Sequence, residues 1–216
     1  MGTFMTRLKR GLVQILTLVF ILMFFAQLLT SRWYLQVSEG LYASHADITY
    51  DHGYVARELI DYLNYRHDDL TFGATADDPS ILMRDIEIRH MEDVKDLYTN
   101  LRIVALISGL LAAALLAFDY KKDRREFYLT LRTMFVIPLM FTLFIGTWFL
   151  IDFARIFTLF HELFFSNDDW ILRSNDVLIQ LLPSAFWMVS GLLILVGLMT
   201  VEGVFYATAH RRLKTM

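Results

Sequence analysis

Four long apolar runs constrain this chain more than any other feature of its sequence. They occupy residues 11–29, 100–118, 133–151 and 183–206, and few charged residues interrupt them. A helix of about 20 mainly apolar residues spans the roughly 30 Å of hydrocarbon in a bilayer. Hydrocarbon offers no partners to free backbone N–H and C=O groups, so runs of this length cross it as helices. The sequence therefore predicts an all-α membrane protein with four transmembrane helices.

Lysine and arginine predict how the chain is oriented in the membrane. Three short segments, residues 1–10, 119–132 and 207–216, together hold 11 basic residues, whereas residues 31–99 and 152–182 hold 19 of the 23 acidic ones. Basic residues concentrate in short cytoplasmic segments. We therefore expect a multi-pass protein of the plasma membrane with both termini and the loop 119–132 in the cytoplasm. Residues 31–99 then form an extracellular cap, and 152–182 a second extracellular loop.

The predicted cap is too long to be a simple connector, and two of its stretches show helical patterns. In the first stretch, Val55, Leu59 and Leu63 recur on one helical face. A second helix is expected to open with Asp78 as its N-cap and Pro79 at its first position. This second helix runs toward the span 100–118 without a polar loop between them. The cap is therefore predicted to be partly helical.

The loop before the fourth span is unusually aromatic, and its sequence FHELFFSNDDWIL places a histidine among aromatic residues. Residues 166–169 predict a turn, and Trp170 is a residue type that anchors chains at the membrane interface. Helical spacing connects several residues just before the turn, which predicts a helix half sunk in the interface. These residues are Phe157, Phe160, His161, Phe164 and Phe165.

Two histidines are candidates for chemistry, and each has an alternative structural explanation. His161, amid aromatic side chains, is expected to be partly desolvated, which favours the neutral imidazole that a general base requires. It is equally compatible with a histidine that only positions a helix at the interface. His90, in EIRHMEDVKDLY, is expected on the second cap helix, where it could also belong to an ordinary charged face.

Other chemistries find little support in the sequence. With no cysteine, the chain has neither disulfides nor a thiol nucleophile. GxSxG, SxxK and phosphate-loop motifs are absent, and so are HxxxH and HExxH, so no metal site and no cofactor are predicted. A formal net charge of -3 gives no basic excess for binding nucleic acid. The chain offers bases without a nucleophile, which suits a reaction whose nucleophile belongs to the substrate.

The chain resembles the lipoprotein intramolecular transacylases, called Lit, of Gram-positive bacteria. The resemblance covers nearly the full length and is most specific in HMEDVKDL, from His90, and in FHELFFSNDDWIL, which contains His161. It implies transfer of the sn-2 acyl chain of a diacylglyceryl lipoprotein to the α-amino group of its own N-terminal cysteine, which yields a lyso-form lipoprotein. It also implies that these two histidines are catalytic, without an acyl-enzyme.

The resemblance gives the aromatic loop a role in substrate binding and leaves two other functions open. Asn167 is expected either to orient the substrate or only to form the turn. The pocket walls are expected to be Phe160, Phe164, Phe165 and Trp170, of which Trp170 could instead serve only as a lipid anchor. The partners are then a lipoprotein substrate and membrane lipid. A non-enzymatic scaffold with an acidic cap and a metal-dependent membrane hydrolase are the alternatives. For the two histidines to meet, the second cap helix is expected to break or tilt near residues 98–100.

Overall fold

The computed structural model describes residues 2–34, 37–38 and 50–216, and regular secondary structure in this part of the chain is entirely α-helical. Residues 35, 36 and 39–49 of the predicted cap lie outside the described residues. The helices are α1 Gly2–Leu28, α2 His52–Leu63, α3 Asp85–Lys122, α4 Arg124–Thr133, α5 Val136–Ile151, α6 Phe153–Phe164, α7 Val177–Leu181 and α8 Ser184–Lys214.

Four helical segments of the described chain are long and apolar enough to cross a membrane. They are α1, α3, α8 and the combined segment of α4 and α5. This confirms the predicted all-α membrane fold with four spanning helices. The connection 119–132, predicted as a loop, is mostly helical because Asp123 caps α4. Its side chain accepts hydrogen bonds from the backbone N–H groups of Arg125 and Glu126.

The chain divides into two compact units. Unit 1 comprises Met1–Ala26, Leu101–Ile151 and Leu192–Met216. Unit 2 comprises Gln27–Asn100 and Asp152–Gly191. Unit 2 therefore contains the described parts of both segments that the charge pattern predicts to be extracellular.

Unit 1 is held together by close helix contacts. Phe25 of α1 packs against Gly197 of α8, where an added Cβ would lie 2.5 Å from the phenylalanine ring. Phe20 packs in the same way against Gly109 of α3, at 2.7 Å. Glycine lets helix backbones come this close, which is a common device in membrane bundles. On the same helix as Gly197, Glu202 is fully buried.

Pro138 explains why the third apolar run does not continue from α4. It is the third residue of α5, where a missing backbone N–H costs no helical hydrogen bond. Its ring is incompatible with a helical carbonyl four residues earlier, at Met134, and the chain turns at Met134 and Phe135. The third apolar run therefore begins after a break between two helices, α4 and α5.

Unit 2 has its own hydrophobic core, built around α2. The predicted face of α2 is confirmed, since Val55, Leu59 and Leu63 are buried. The short helix α7 packs against the same core through Val177 and its neighbours Leu178 and Leu181. α3 contributes Met91, the residue after His90. This core fixes the first turns of α3 relative to the loop that follows α6.

The start and the course of α3 differ from the sequence prediction. The helix begins at Asp85, not after Asp78, because the Asp78 carboxylate accepts hydrogen bonds from the backbone N–H groups of Ala74 and Ser80 within a loop. The break expected near residues 98–100 is absent, and α3 continues to Lys122. Tyr-Thr-Asn contains neither glycine nor proline, so nothing in it stops a helix.

Candidate active site

Helix α6 presents His161 from its last turn. The Asp152 carboxylate caps the start of the helix by accepting from the backbone N–H of Arg155 at 3.0 Å. The helix ends at Phe165, whose backbone N–H donates to the carbonyl of His161 at 2.8 Å. His161 is 8% exposed, whereas its neighbour Glu162 is exposed. The helical period thus turns the imidazole inward and leaves the adjacent carboxylate in solvent.

The backbone of α6 fixes which nitrogen of His161 carries the proton. Nδ1 lies 2.7 Å from the carbonyl oxygen of Phe157, one turn earlier. A carbonyl oxygen only accepts, so in this contact Nδ1 donates. In the neutral ring, Nε2 then has a free lone pair. The geometry therefore prepares His161 to accept a proton at Nε2.

His90 lies beside His161, with the two ring centroids 5.9 Å apart. It projects from the second turn of α3 and is 8% exposed. Phe165 stands edge-on to it at 5.2 Å and also contacts His161 at 5.6 Å. Nδ1 of His90 is buried and has no hydrogen-bond partner among the described residues. In His161 the hydrogen bond of Nδ1 therefore determines the tautomer, whereas in His90 Nδ1 has no hydrogen-bond partner among the described residues.

Aromatic rings surround His161 on several sides. Trp187, at the start of α8, extends this cluster by contacting Phe157 at 6.4 Å. Such rings exclude water and leave the imidazole few polar neighbours. The rings in contact with His161, with their centroid distances, are Phe157 at 4.3 Å, Trp170 at 4.9 Å, Phe160 at 5.4 Å and Phe165 at 5.6 Å.

Burial keeps both histidines neutral. Desolvation lowers the pKa of His90 from 6.5 to about 4, with a further lowering by the neighbouring His161 and a partial opposing effect of Asp93 and Asp169. Desolvation also lowers the pKa of His161, and its hydrogen bond to Phe157 opposes this in part. His90 lies in the polar part of α3, ahead of the apolar run. At pH 7 both rings are therefore available as neutral acceptors and donors.

Two polar contacts hold the loop after α6 against α3. The side-chain N–H of Asn167 donates to the carboxylate of Asp93 at 2.8 Å. The guanidinium of Arg89 donates two hydrogen bonds to the carboxylate of Asp169, at 2.9 and 3.0 Å. Arg89 and Asp93 flank His90 on α3. These contacts therefore bring the loop that contains Trp170 to the histidine pair.

A buried carboxylate secures the start of α3. Glu87 is 1% exposed, and its two oxygens accept from the backbone N–H groups of Arg84 at 3.0 Å and Leu178 at 2.9 Å. The guanidinium of Arg84 in turn pairs with Asp176, whose carboxylate also accepts from the backbone N–H of Arg173 at 2.6 Å. Glu87 therefore ties the first turn of α3 to the first turn of α7.

Comparison with protein families identifies the group to which this arrangement belongs. A family model described as lipoprotein intramolecular transacylase Lit matches residues 9–187, which include both histidines. The chain belongs to this family. As a Lit family member it is an enzyme, an acyltransferase. No curated protein sequence matches it.

The Lit fold extends over nearly the whole chain. One similar solved structure is the membrane-integral lipoprotein intramolecular transacylase Lit from Bacillus cereus, with a TM-score of 0.78 and 23% identity over 99% of this chain and 97% of that chain. Two structures of the same Bacillus cereus protein have one histidine replaced by arginine or alanine. Each gives a TM-score of 0.75 at 22% identity, covering 99% of this chain and 94% or 96% of theirs.

Most residues that the sequence suggested for the candidate site lie together. Those gathered around the histidine pair are His90, His161, Phe160, Phe165 and Trp170. Phe164 packs on Phe160, with their tilted rings 4.8 Å apart, and both rings are 44% exposed, but it is Phe160 whose ring contacts His161. Asn167 binds Asp93 and is exposed at the edge of the site.

The sequence prediction did not include several residues that lie at the candidate site. Helical spacing could have predicted two of them, because Phe157 lies four residues before His161 and Asp93 three residues after His90. The role of Glu87 could not have been predicted in this way, because its partner Leu178 lies far along the chain and contributes only a backbone N–H group. The described residues contain no group of three His, Asp or Glu side chains that could hold a metal ion.

Proposed function

We propose that this protein moves the sn-2 ester acyl chain of a diacylglyceryl lipoprotein to the α-amino group of the same lipoprotein's N-terminal cysteine. The observation that carries the proposal is the buried pair of His90 and His161, with the Nε2 lone pair of His161 left free by the bond to Phe157. Membership of the Lit family supplies the substrate class. The product is a lyso-form lipoprotein with one ester chain left.

The proton balance of the reaction suits a site with two neutral imidazoles. The neutral amine attacks the ester carbonyl, and the new C–N bond makes its N–H acidic. Nε2 of His161 accepts this proton as general base. When the tetrahedral intermediate collapses, the bond from the carbonyl carbon to the sn-2 oxygen breaks, and the same proton passes to that oxygen. One amide and one hydroxyl form, with no net gain or loss of protons.

His90 acts on the oxygen atoms of the ester. Its ring lies 5.9 Å from that of His161, which leaves room for a tetrahedral carbon to be reached from both. A neutral imidazole N–H can donate to the oxyanion as it forms, and in a dry site such a donor is worth more than in water.

The nucleophile belongs to the substrate, so the enzyme mainly has to position it. The chain has no cysteine to form a thioester. Amine and ester are parts of one lipoprotein head group, so bending that head group brings them within reach. Positioning of reacting groups can lower the activation free energy by about 7–11 kcal/mol. The aromatic rings of Phe165 and Trp170 supply rigid walls for that bent head group.

The orientation that the basic residues predict agrees with this reaction. We place both termini in the cytoplasm and unit 2 on the outer face of the plasma membrane, because the 11 basic residues lie in unit 1 and most acidic ones in unit 2. A lipoprotein anchored in the outer leaflet would then present its N-terminus to the histidines. The variants His67→Cys and Lys214→Cys each introduce a single cysteine, and labelling intact cells with a membrane-impermeant thiol reagent tests the orientation. Labelling is expected for His67→Cys only.

The decisive experiment is expression in a host that makes diacylglyceryl lipoproteins, followed by tandem mass spectrometry of N-terminal lipopeptides. The native protein is expected to convert the cysteine to the N-acylated lyso form. His90→Ala and His161→Ala should each abolish conversion. His67→Ala, at an exposed histidine of the same unit, is the matched control and should leave it intact.

The same experiment distinguishes the non-enzymatic alternative. A scaffold with an acidic cap predicts that the lipopeptides stay unacylated at the cysteine even when the native protein is inserted and folded. It also predicts that neither histidine substitution changes the lipopeptide spectrum. Either result would refute the proposed transfer.

A further inference from the structure

The carboxylates beside the histidine pair differ in whether a cation balances them. The charges of Asp93 and Asp169 both act on His90. Asp169 receives two hydrogen bonds from the guanidinium of Arg89, so its charge is balanced. Asp93 receives one hydrogen bond from the neutral amide of Asn167 and forms no ion pair within the described residues. One negative charge next to the site therefore remains unbalanced.

The helix fixes where this charge lies. Asp93 follows His90 by three residues on the unbroken helix α3, which puts their Cβ atoms about 5–6 Å apart on one face. Glu92, two residues after His90, points to another face of the helix and is exposed. Asn167 holds the Asp93 carboxylate from the other side through a single oxygen, Oδ2.

A second observation, at the neighbouring His90, points to a polar ligand in the same place. His90 is more than nine-tenths buried, and its Nδ1 has no partner among the described residues. Buried polar atoms without partners are uncommon, and a catalytic role is one explanation for them. An unbalanced carboxylate and an unsatisfied imidazole nitrogen one helical turn apart suit a ligand that is cationic and donates several hydrogen bonds.

We propose that Asp93 is a positioning residue that binds the protonated α-amino group of the lipoprotein's N-terminal cysteine and delivers it to the histidine pair. This inference rests on the proposed transfer reaction and names the residue that recognises the amine. An α-ammonium has an ordinary pKa of about 7.7–8.0, so at neutral pH much of the substrate arrives with the charge that Asp93 attracts. Asn167 keeps the carboxylate pointed toward that position.

Protons balance in this sequence of steps. The ammonium docked at Asp93 first releases one proton to solvent and becomes a neutral amine. The amine then attacks the sn-2 carbonyl, loses its second proton to Nε2 of His161, and this proton ends on the sn-2 oxygen. Overall one ammonium and one ester give one amide, one hydroxyl and one released proton. Asp93 holds the amine and is not itself protonated in any step.

Two unreactive ligands test the role of Asp93 by binding alone. Both are lipopeptides with ether bonds in place of the glyceryl esters, and one lacks the N-terminal amino group. The native protein at pH 6.5 is expected to bind the amine-bearing ligand about tenfold more tightly, the size of one charge-assisted hydrogen bond. Asp93→Asn should remove this preference, because its amide oxygen can still accept from Asn167 but has no charge.

The matched control is Asp96→Asn, which removes an exposed carboxylate one turn further along α3 and should keep the preference. An equal affinity of the native protein for the two ligands, or an undiminished preference in Asp93→Asn, would overturn the inference. Conversion of the ester lipopeptide by the native protein reports separately on the proposed function. If that conversion occurs while the preference does not depend on Asp93, only the role of Asp93 fails.

The pH dependence of KM distinguishes recognition of the amine from a merely structural role. The charged and titratable groups around Asp93 are His90, Asp96 and Arg89, each one turn away on α3, and Asp169, which pairs with Arg89 from the loop. For Asp93→Asn, KM should exceed the native value by about tenfold at pH 6.5 and approach it above pH ~8.5, where the amine is neutral. A ratio that stays constant with pH would contradict recognition of the ammonium.

Discussion

The rings of His90 and His161 lie 5.9 Å apart, one on a helix of 38 residues and the other on a helix of 12. The two rings meet although α3 runs without a break from Asp85 to Lys122, so the contact does not depend on an interruption of that helix. This contact also affects the protonation states of the two imidazoles, which the first two predictions address.

The first prediction concerns the tautomer of His161. In protein labelled with ¹⁵N-histidine, the hydrogen bond to Phe157 should hold His161 as the neutral ring with the proton on Nδ1. Because burial lowers its pKa, the midpoint of any titration of this signal should lie below the ordinary 6.5. NMR spectra recorded with and without His161→Ala assign the signal. An Nε2–H tautomer, or an inflection at 6.5 or above, would contradict the geometry.

The second prediction links stability to pH through His90. Its pKa falls from 6.5 to about 4 on folding, so between these values the unfolded chain binds a proton that the folded chain does not. This contribution to stability is complete above pH 6.5 and is lost as the pH falls through about 4. From pH 7 to pH 5 the loss should be on the order of 2 kcal/mol.

The variant His90→Gln isolates this effect, because glutamine does not titrate. Thermal unfolding in detergent at pH 7 and pH 5 should show a smaller decrease in Tm for the variant than for the native protein. An equal decrease would mean that His90 is solvated in the folded state.

The third prediction concerns the buried carboxylate of Glu87. Glu87→Ala leaves the backbone N–H groups of Arg84 and Leu178 without their acceptor. A buried donor left unpaired costs about 1–3 kcal/mol, so the free energy of unfolding should fall by roughly that amount or more. Glu92→Ala, at an exposed glutamate on the same helix, should change it by less than about 0.5 kcal/mol. Similar values for the two variants would argue against the tie between α3 and α7.

The fourth prediction compares two glycines of α8. Gly197→Ala would place a methyl group 2.5 Å from the ring of Phe25 and should destabilise the protein by about 1–3 kcal/mol. Gly203→Ala has open space around it and should be neutral or stabilising by up to about 1 kcal/mol, because alanine favours helix. Combining Gly197→Ala with Phe25→Leu should restore part of the loss. Equal Tm values for the two single variants would contradict the close packing.

The fifth prediction concerns Glu202, which is fully buried in α8 with both carboxylate oxygens unpartnered among the described residues. Uncompensated ionisable groups inside a membrane bundle are costly. Replacement by methionine, of similar volume, should raise Tm without reducing conversion of lipopeptide. A loss of conversion in stable Glu202→Met protein would instead give this residue a functional role.

The sequence predicted those features that depend on local pattern. Run length determined the four spans, and helical spacing placed His161 on an aromatic helix with Phe165 beside it. Helical spacing could not distinguish the exposed Phe164 from the buried Phe165, because both follow His161 within about one turn. The actual division depends on where α6 ends, and that is set by the cap at Phe165.

Features that depend on distant partners could not be predicted. The helix α3 was expected to begin after Asp78, a good N-cap with a proline behind it. Asp78 instead binds loop amides, and the start at Asp85 is fixed by Glu87 together with Leu178. A single sequence does not contain the partner of a side chain that binds a distant backbone group, so such contacts become visible only in the fold.

The bond from His161 to the carbonyl of Phe157 makes the proposed base a self-contained unit of one helical turn. In catalytic triads a third side chain, often from a distant part of the fold, orients the histidine. Here the acceptor that orients the ring is a backbone carbonyl of the same helix, so no side chain from another element is needed to orient His161. The tautomer of this histidine therefore depends on α6 alone and should persist wherever this turn stays helical.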